Sequence, residues 1–371
     1  MKIKLILVII LLSLLACQKI DKTNLNVKKF YPYTLKLNKN SSLWYDRNHD
    51  FLYEVSQNGD GLNINFQFYE LKKDTITVNT KKIELPPFYK DIFTQKNDFI
   101  ILHTEPRTLG KNLKSTDILT KYDENSRILL KKDMDISKYP NGNCFIVGNN
   151  ERLFYISDWF AAANSKRAAE SKLIISEIDT SFNILNQKLF KNKNRDFDYN
   201  PAKCIFIENI GIVIVSDMSY FEIKGLPFKI EMFDLDLNKK WSENFEANSI
   251  VSLGYSKTEK KISLVIEKEG TKVNFWDYEG KKQEKQYHFN SDLISLTSSD
   301  DNIFLLTKNQ EKNDITKIDF SGKVIDKINL PKNIEINKKK EINLAYQENQ
   351  LFLISIDNDK KLLEIDKITM E

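Results

Sequence analysis

The side chains that could carry out chemistry are few and lie far apart in this 371-residue chain. The three histidines, His49, His103 and His288, show no paired spacing, whereas a zinc site needs three or four converging ligands. The sequence contains no Gly-x-Ser-x-Gly motif, phosphate loop or Gly-x-Gly-x-x-Gly motif. Carboxylates are so common that no catalytic pair stands out. We therefore predict no catalytic centre, no metal site and no cofactor.

One cysteine lies where lipid chemistry would use it. Met1–Lys4 is short and basic, Leu5–Leu12 is an unbroken apolar run, and Leu14-Leu15-Ala16 directly precedes Cys17. A basic start, an apolar middle and a small residue before the cleavage point are typical of a secretory signal. The apolar run is shorter than the roughly 20 residues of a membrane-spanning helix.

The stretch Leu14-Leu15-Ala16-Cys17 resembles the lipobox of bacterial lipoproteins. The resemblance implies that residues 1–16 are removed as a signal peptide and that the sulfur of Cys17 carries a diacylglycerol. Residues 17–29 would then be a flexible, lipid-anchored linker. The glutamine at position 18 favours the outer membrane and leaves the periplasmic or surface side open. The alternative is an ordinary secretory signal with a chance cysteine.

The remaining cysteines, Cys144 and Cys204, lie at equivalent places in two successive repeats. An extracytoplasmic compartment permits a disulfide between them. Two separate buried thiols are the alternative.

The charge balance argues against nucleic acid as a partner. The whole chain has a net charge of +4, and loss of Lys2 and Lys4 with the signal lowers it to +2. Nucleic-acid binding needs a strongly basic face, whereas acids and bases are interspersed along this chain.

A recurring phrase divides the chain into seven units. Each phrase has an apolar run, an aspartate and a polar turn, and such a turn between alternating runs indicates a β-hairpin. The aspartates are Asp123, Asp179, Asp236, Asp277, Asp319 and Asp366, and a degenerate first copy ends at Asp74. The spacing of about 41 to 57 residues is that of four-stranded propeller blades.

Apolar runs such as Ile212–Val215 and Leu351–Ile354 are typical of strands buried on both faces between blades. The last unit lacks an outer strand, and the matching segment Thr34–Asn38 lies near the N-terminus. We therefore predict an all-β protein in which residues 30–371 form one seven-bladed β-propeller closed by an N-terminal strand. Six or eight blades, a β-sandwich and an open solenoid are the alternatives.

The units resemble those of bacterial propellers whose repeats end in Asp-x-x-Gly and often Trp, and Asp236–Trp241 carries the tryptophan in that place. The resemblance implies a propeller of the quinoprotein type or of its outer-membrane assembly relatives.

One sector of the predicted ring is enlarged. The connections between the second and third strands are long in three neighbouring units, Thr104–Thr116, Ser157–Ser171 and Ser216–Phe228. Long loops in a compact repeat fold are often functional, and aromatic residues on loops act as interface anchors. The candidate binding face therefore comprises Trp159, Phe160, Tyr220, Phe221, Arg107 and Arg167. The alternative is that these aromatic residues fold back and pack the loops down.

Two functions follow from this sequence. The first is a membrane-anchored envelope lipoprotein that binds a protein or another envelope component without catalysis, as a scaffold or as an immunity protein that caps a toxin. The second is a secreted propeller hydrolase or lyase acting on glycans, which would need converging carboxylates in a central funnel.

Overall fold

The structure of the chain is a computed structural model. It describes the backbone of the strands between residues 27 and 85, and backbone and side chains between residues 90 and 368. Within the second range, side chains are not described at positions 94–97, 105–115, 124–126, 135–142, 159–171, 192–198, 218–227, 284–285, 290, 309–312, 331–340, 348, 358 and 361, and at these positions the backbone is described only where they lie in a strand.

The described chain contains thirty β-strands. The N-terminal part holds β1 (Val27–Lys28), β2 (Leu35–Lys36), β3 (Ser41–Asp46), β4 (Phe51–Gln57), β5 (Ile64–Leu71), β6 (Ile76–Thr77) and β7 (Ile83–Leu85). The next two sheets hold β8 (Tyr89–Thr94), β9 (Phe99–Leu109), β10 (Asn112–Tyr122), β11 (Ile128–Asp133), β12 (Phe145–Gly148), β13 (Leu153–Ala161), β14 (Glu170–Ile178) and β15 (Ile184–Lys191).

The C-terminal half continues the pattern. Two further sheets hold β16 (Asn200–Ile207), β17 (Gly211–Asp217), β18 (Leu226–Asp234), β19 (Lys239–Ala247), β20 (Ser249–Ser256), β21 (Lys261–Glu267), β22 (Thr271–Asp277) and β23 (Tyr287–Phe289). The last strands are β24 (Asp292–Ser298), β25 (Asn302–Lys308), β26 (Asn313–Asp319), β27 (Val324–Asn329), β28 (Lys340–Gln347), β29 (Gln350–Asp357) and β30 (Leu362–Ile368).

The described strands form seven antiparallel sheets, which are the blades of a single β-propeller. Blade 1 is β3–β7, blades 2 to 6 are β8–β11, β12–β15, β16–β19, β20–β23 and β24–β27, and blade 7 is β28–β30 with β1 and β2. The seven-bladed all-β prediction is confirmed.

Ring closure by the N-terminal segment is also confirmed. Leu35 and Lys36 pair with Leu363 and Leu362, so β2 lies along the outer edge of β30. The strand β1 pairs with the same edge farther along, so the first strand of the fold begins three residues before the predicted boundary at residue 30. Joining the two ends in this way covers the edge of β30, which would otherwise present unpaired backbone groups.

The antiparallel order gives the ring two distinct faces. The turns between first and second strands and between third and fourth strands lie on one face, which we call the turn face. The connections between second and third strands, and those that lead from one blade to the next, lie on the other, which we call the hairpin face.

The middle strands of the blades are buried on both sides, as their unbroken apolar runs predict. Every residue of β17 from Gly211 to Ser216 is buried, and β29 is buried from Leu351 to Asp357. The outer strands β15 and β27 instead begin with exposed residues and then alternate. This gradient places the hydrophobic core between blades.

Each described blade interface from blade 2 to blade 7 contains its own apolar cluster. Between blades 2 and 3, Leu102 and Leu119 pack with Ile146 and Tyr155, and all four are at most 1% exposed. Complete burial of one such side chain contributes about 1.5–3 kcal/mol. The ring is therefore held together blade by blade.

The recurring aspartates form a common turn between third and fourth strands, which we call the Asp turn. In four blades, one carboxylate oxygen of the aspartate accepts hydrogen bonds from the backbone N–H groups two and four residues later, over 2.7–3.0 Å. The four aspartates are Asp179, Asp234, Asp277 and Asp319. The residue at the third position after each has a positive φ.

The prediction that Asp236 and Asp366 form repeat turns was wrong. In blade 4 the turn is formed by Asp234 and not by Asp236, because Asp234 accepts the bonds from the N–H groups of Asp236 and Asn238. In blade 7, Asp366 lies inside β30, opposite Leu353. A shift of two residues, as in blade 4, is easy in such sequences, since alternating acidic and apolar residues resemble the motif.

The Asp turns also join neighbouring blades. Phe182 and Leu237 occupy the positive-φ position with φ of 60° and 61°, and both side chains are fully buried in the interface with the preceding blade. In blade 6 glycine occupies that position at Gly322, and Phe320 is the residue that packs into the preceding interface. Each of these turns thus inserts one large side chain into the interface with the preceding blade.

Candidate functional site

The hairpin face is extended over blades 2 and 3. The β9–β10 hairpin continues to the pair Leu109–Asn112, and the β13–β14 hairpin continues to Ala161–Glu170. In blade 5 the equivalent pairing stops at Glu267–Thr271. The segment Thr104–Thr116, which was predicted as a long loop, is therefore largely paired strand, and the described ends of Ser157–Ser171 are paired as well. Their backbone groups bond across the hairpin, so the extensions continue the sheets above the ring.

Three of the six predicted binding residues lie on these extensions. Arg107 is in β9, opposite Lys114, and Trp159 and Phe160 are in β13. The backbone of Arg167, Tyr220 and Phe221 lies outside the described residues, as do the side chains of all six positions and the whole of Cys17. The grouping of these six residues therefore stays a prediction.

A buried polar cluster lies beneath the extended hairpins, at the interface of blades 2 and 3. Its centre is Asp117, which is fully buried. One carboxylate oxygen contacts Lys90 Nζ at 2.9 Å and accepts a hydrogen bond from Thr104 Oγ1 at 2.8 Å. The other accepts bonds from the Tyr155 hydroxyl at 2.8 Å and the Cys144 thiol at 3.1 Å. We call these five residues the Asp117 cluster.

The electrostatics of the Asp117 cluster favour a charged aspartate and neutral neighbours. Burial by itself raises the pKa of Asp117, but the Lys90 charge and the hydrogen bonds from Lys90, Cys144 and Tyr155 outweigh it and leave the pKa lowered. Burial, together with the Asp117 charge, holds the pKa of the Cys144 thiol well above its ordinary range. Cys144 is therefore a protonated thiol at neutral pH and a poor nucleophile.

We expect Asp117→Asn to destabilise the protein by about 3 kcal/mol at neutral pH, because it leaves the partly buried Lys90 charge against an uncharged partner. The pKa of Asp117 is lowered on folding, so its stabilising contribution is complete above the unfolded pKa of about 3.9 and is lost as pH falls through the folded pKa. The difference between wild type and variant should therefore narrow below about pH 4. Urea unfolding across this pH range measures it.

The matched control is Glu208→Gln, which removes the charge of a carboxylate in the solvent-exposed ion pair with Lys257. This variant should unfold almost like wild type, since exposed pairs contribute little. An Asp117→Asn variant with the stability of Glu208→Gln would contradict a stabilising Asp117 cluster.

Cys144 and Cys204 are separate thiols in the structure and form no disulfide with each other, which is the alternative that the sequence left open; Cys144 is buried and Cys204 half-buried. Cys144 belongs to the Asp117 cluster at the interface of blades 2 and 3. Cys204 packs at the next interface, between blades 3 and 4.

A second buried charge lies in blade 4, next to blade 3 in the ring. The fully buried Glu231 has Lys229 Nζ at 2.9 Å and Lys239 Nζ at 2.6 Å. Lys229 also donates a hydrogen bond to the Tyr199 hydroxyl at 3.3 Å. Each buried carboxylate is thus paired with lysine, as burial of charge requires. Sequence reasoning missed both groups, because Asp117 and Glu231 lie in strands that contain other polar and charged residues and nothing local distinguishes them as buried.

The central channel is lined by the inner strands. A cavity of about 590 Å³ lies between the inner strands of blades 4 to 7, and a smaller one of about 180 Å³ lies beside blades 2 to 5. They share Lys203, Cys204, Ile205 and Tyr255 as walls. Asp91, on the smaller cavity, accepts a hydrogen bond from the backbone N–H of Ile146 at 2.8 Å and so ties blade 2 to blade 3.

The histidines in the described part of the chain have structural partners. His103 is buried and bonds to Thr120 Oγ1 at 3.1 Å, and the exposed His288 bonds to the Glu269 carbonyl at 3.1 Å. Among the described residues, no group of three or more His, Cys, Asp or Glu side chains could hold a metal ion.

The fold is similar to solved propellers at very low sequence identity. The β-propeller domain of Cps50 (Swd1) from Myceliophteria thermophila matches with a TM-score of 0.53 and 7% identity, over 91% of this chain and 99% of that one. Sqt1 from Saccharomyces cerevisiae matches with a TM-score of 0.52 and 8% identity, over 94% of this chain and 100% of that one. At this identity the likeness shows the fold alone.

No family model matches the chain, and no curated protein sequence matches it.

Proposed function

We propose that this protein is a lipid-anchored propeller of the bacterial envelope that binds a protein partner through its hairpin face and catalyses no reaction. The anchor would be the lipid on Cys17, and the mature chain would be held at a membrane, with the outer membrane favoured. Scaffold and toxin-immunity roles are both forms of this function.

The observation that carries the proposal is the extension of the hairpin face over neighbouring blades. The strands β9 and β10 have eleven residues each and β13 and β14 have nine, whereas β21, β22, β25 and β26 have seven. In blade 4, eight residues separate β17 from β18. Blade closure needs none of this additional chain, so another role must account for it.

The buried polar contacts beneath the hairpin face are what a preorganised binding surface requires. The Asp117 cluster and the paired Glu231 lie under the extended sector and tie adjacent blades or strands together. A surface that is rigid before binding loses less conformational entropy when a partner docks. Aromatic residues such as Trp159 and Phe160 on a rigid hairpin would then act as anchors, with Arg107 nearby on β9.

We expect the double variant Trp159→Ala, Tyr220→Ala to lose the partner that wild type captures from detergent-solubilised envelopes. Loss of two aromatic anchors from one interface commonly costs about 2 kcal/mol or more for each, which is enough to remove a complex in the micromolar range from a pull-down. Quantitative mass spectrometry of the captured proteins measures the loss.

The matched control changes two exposed apolar residues elsewhere on the ring, Leu129→Ala and Leu185→Ala, which are 54% and 63% exposed in wild type. This variant should keep the partner. If the hairpin variant and the control retain the same captured proteins, the hairpin face is not the binding surface. A mature N-terminal peptide without acyl chains on Cys17 would separately contradict the anchor.

A further inference from the structure

We propose that the lipid anchor holds the turn face of the propeller against the membrane surface, so that the hairpin face points away from the membrane. This inference rests on the proposed lipid on Cys17. It concerns the orientation of the ring and the occupant of the turn face, which is the anchoring membrane itself.

The first argument is the place where the N-terminal chain enters the ring. Val27 pairs with Ile368, which is the last residue of β30. The strand β30 is the third strand of blade 7, so it runs from the hairpin face to the turn face. Val27 therefore lies at the turn face, and the chain that leads back to Cys17 leaves the ring there.

The second argument is the short reach of the tether. Nine residues, 18–26, separate Cys17 from Val27. A segment of this length spans at most about 35 Å when fully extended, and a random coil of nine residues has an end-to-end distance of about 17 Å. A seven-residue strand is about 23 Å long, and the four additional residues of β9 add about 13 Å. A lipid attached at the turn face therefore cannot easily reach a membrane on the far side of the hairpins.

The third argument is the distribution of exposed apolar side chains. Among the described residues, eight large apolar side chains are exposed, and seven of them lie at the turn face. Six form three pairs that begin outer strands directly after the third-to-fourth-strand turns, namely Ile128–Leu129, Ile184–Leu185 and Val324–Ile325, and Ile210 lies in the first-to-second-strand turn of blade 4. The eighth, Leu189, lies farther along β15.

This distribution is what a turn face that lies on a membrane requires. The paired apolar side chains lie in blades 2, 3 and 6, so they are spread around the ring and do not form one patch for a compact protein partner. Apolar side chains that reach the boundary between headgroups and acyl chains add to the binding that an acyl anchor provides. The short tether and the exposed apolar side chains of the turn face therefore favour the same orientation.

The orientation can be measured with fluorescent labels at three heights on one blade. In a Cys144→Ala, Cys204→Ala background, Leu185→Cys, Leu189→Cys and Lys166→Cys each carry one environment-sensitive dye on the full-length lipidated chain. Leu185 and Leu189 lie on the same outer strand, about 13 Å apart. Lys166 falls in the sequence between β13 and β14, whose last described pair, Ala161–Glu170, marks the hairpin face. The vesicles contain phosphatidylethanolamine, phosphatidylglycerol and a lipid with a nitroxide quencher on its headgroup.

We expect the loss of fluorescence to be greatest at position 185, smaller at 189 and absent at 166. Equal losses at 185 and 166, the reverse order, or no loss at any position would each overturn the proposal. Insertion of about 20 Gly and Ser residues after Lys22 should reduce the loss at 185, because the longer tether no longer holds the ring near the surface. An unchanged loss would contradict the role of the short tether.

The outcome is distinguishable from failure of the proposed function. Mass spectrometry of the mature N-terminus shows first whether Cys17 carries lipid, and an unmodified Cys17 contradicts the anchor itself. A lipidated chain with the wrong order of quenching contradicts only the orientation. No partner protein is present on the vesicles, so the result does not depend on binding at the hairpin face.

Discussion

Gly211→Ala is expected to destabilise the propeller by more than about 4 kcal/mol and to abolish most of the folded protein. Gly211 begins β17 with a φ of 151°, and a Cβ atom there would overlap the carbonyl oxygen of Phe233 on the neighbouring strand β18. The overlap is with backbone, so no side-chain rotation relieves it. The second strand of blade 4, β17, would have to move away from the third strand, β18. Soluble yield and urea unfolding measure the effect.

Two further alanine variants test this reason. Gly148 occupies the same turn in blade 3, and a Cβ atom there would overlap the carbonyl oxygen of Arg152, so Gly148→Ala should be equally damaging. At Gly254 the nearest atom to an added Cβ is the Ser263 hydroxyl at 3.1 Å, which is the end of a movable side chain. Gly254→Ala should therefore be tolerated. Equal stability of the 211 and 254 variants would contradict the steric argument.

The second large effect is expected at the Asp turn of blade 3. Phe182→Ala should cost about 3–5 kcal/mol, because the fully buried ring fills the interface between blades 2 and 3 and its removal leaves a cavity. Phe182 also has a φ of 60°, a conformation that costs a residue with a side chain about 1–2 kcal/mol and costs glycine almost nothing. Phe182→Gly should therefore be no less stable than Phe182→Ala in urea unfolding.

The comparison needs a position in the same cluster with ordinary backbone geometry. Ile178 is buried there and lies in β14. In a strand, glycine is less stable than alanine by roughly 0.5–1 kcal/mol, so Ile178→Gly should be less stable than Ile178→Ala. If glycine is worse than alanine by the same amount at position 182, the backbone at Phe182 is not in the left-handed region.

The architecture of this protein was predictable because it repeats. The unbroken apolar runs of middle strands and the polar turns at blade-length spacing recur often enough that single errors cancel, and the missing outer strand of the last unit pointed to Leu35 and Lys36. The sequence predicted the enlarged sector only from the length of the connections. It did not predict that these connections pair as strands, since the segment from Thr104 to Thr116 has the polar composition of a loop.

The buried polar residues were not predictable from the sequence. Asp117 is joined by Lys90, Cys144 and Tyr155, which are 27, 27 and 38 residues away in the chain, and nothing in the local pattern around any of them shows the contact. The same holds for the large side chain of each Asp turn. At Phe182 and Leu237 the sequence departs from glycine, and only the neighbouring blade explains why a buried side chain there outweighs the backbone strain.

The sequence by itself determined that this is a ring of repeated β-blades closed by its own N-terminus, because strand periodicity and turn residues are local properties that repetition amplifies. Only the tertiary structure decided which aspartates form turns, where the buried charges are paired and on which face the N-terminal chain emerges. Those features depend on which strands lie side by side, and strand pairing across blades is set by the packing of the whole ring.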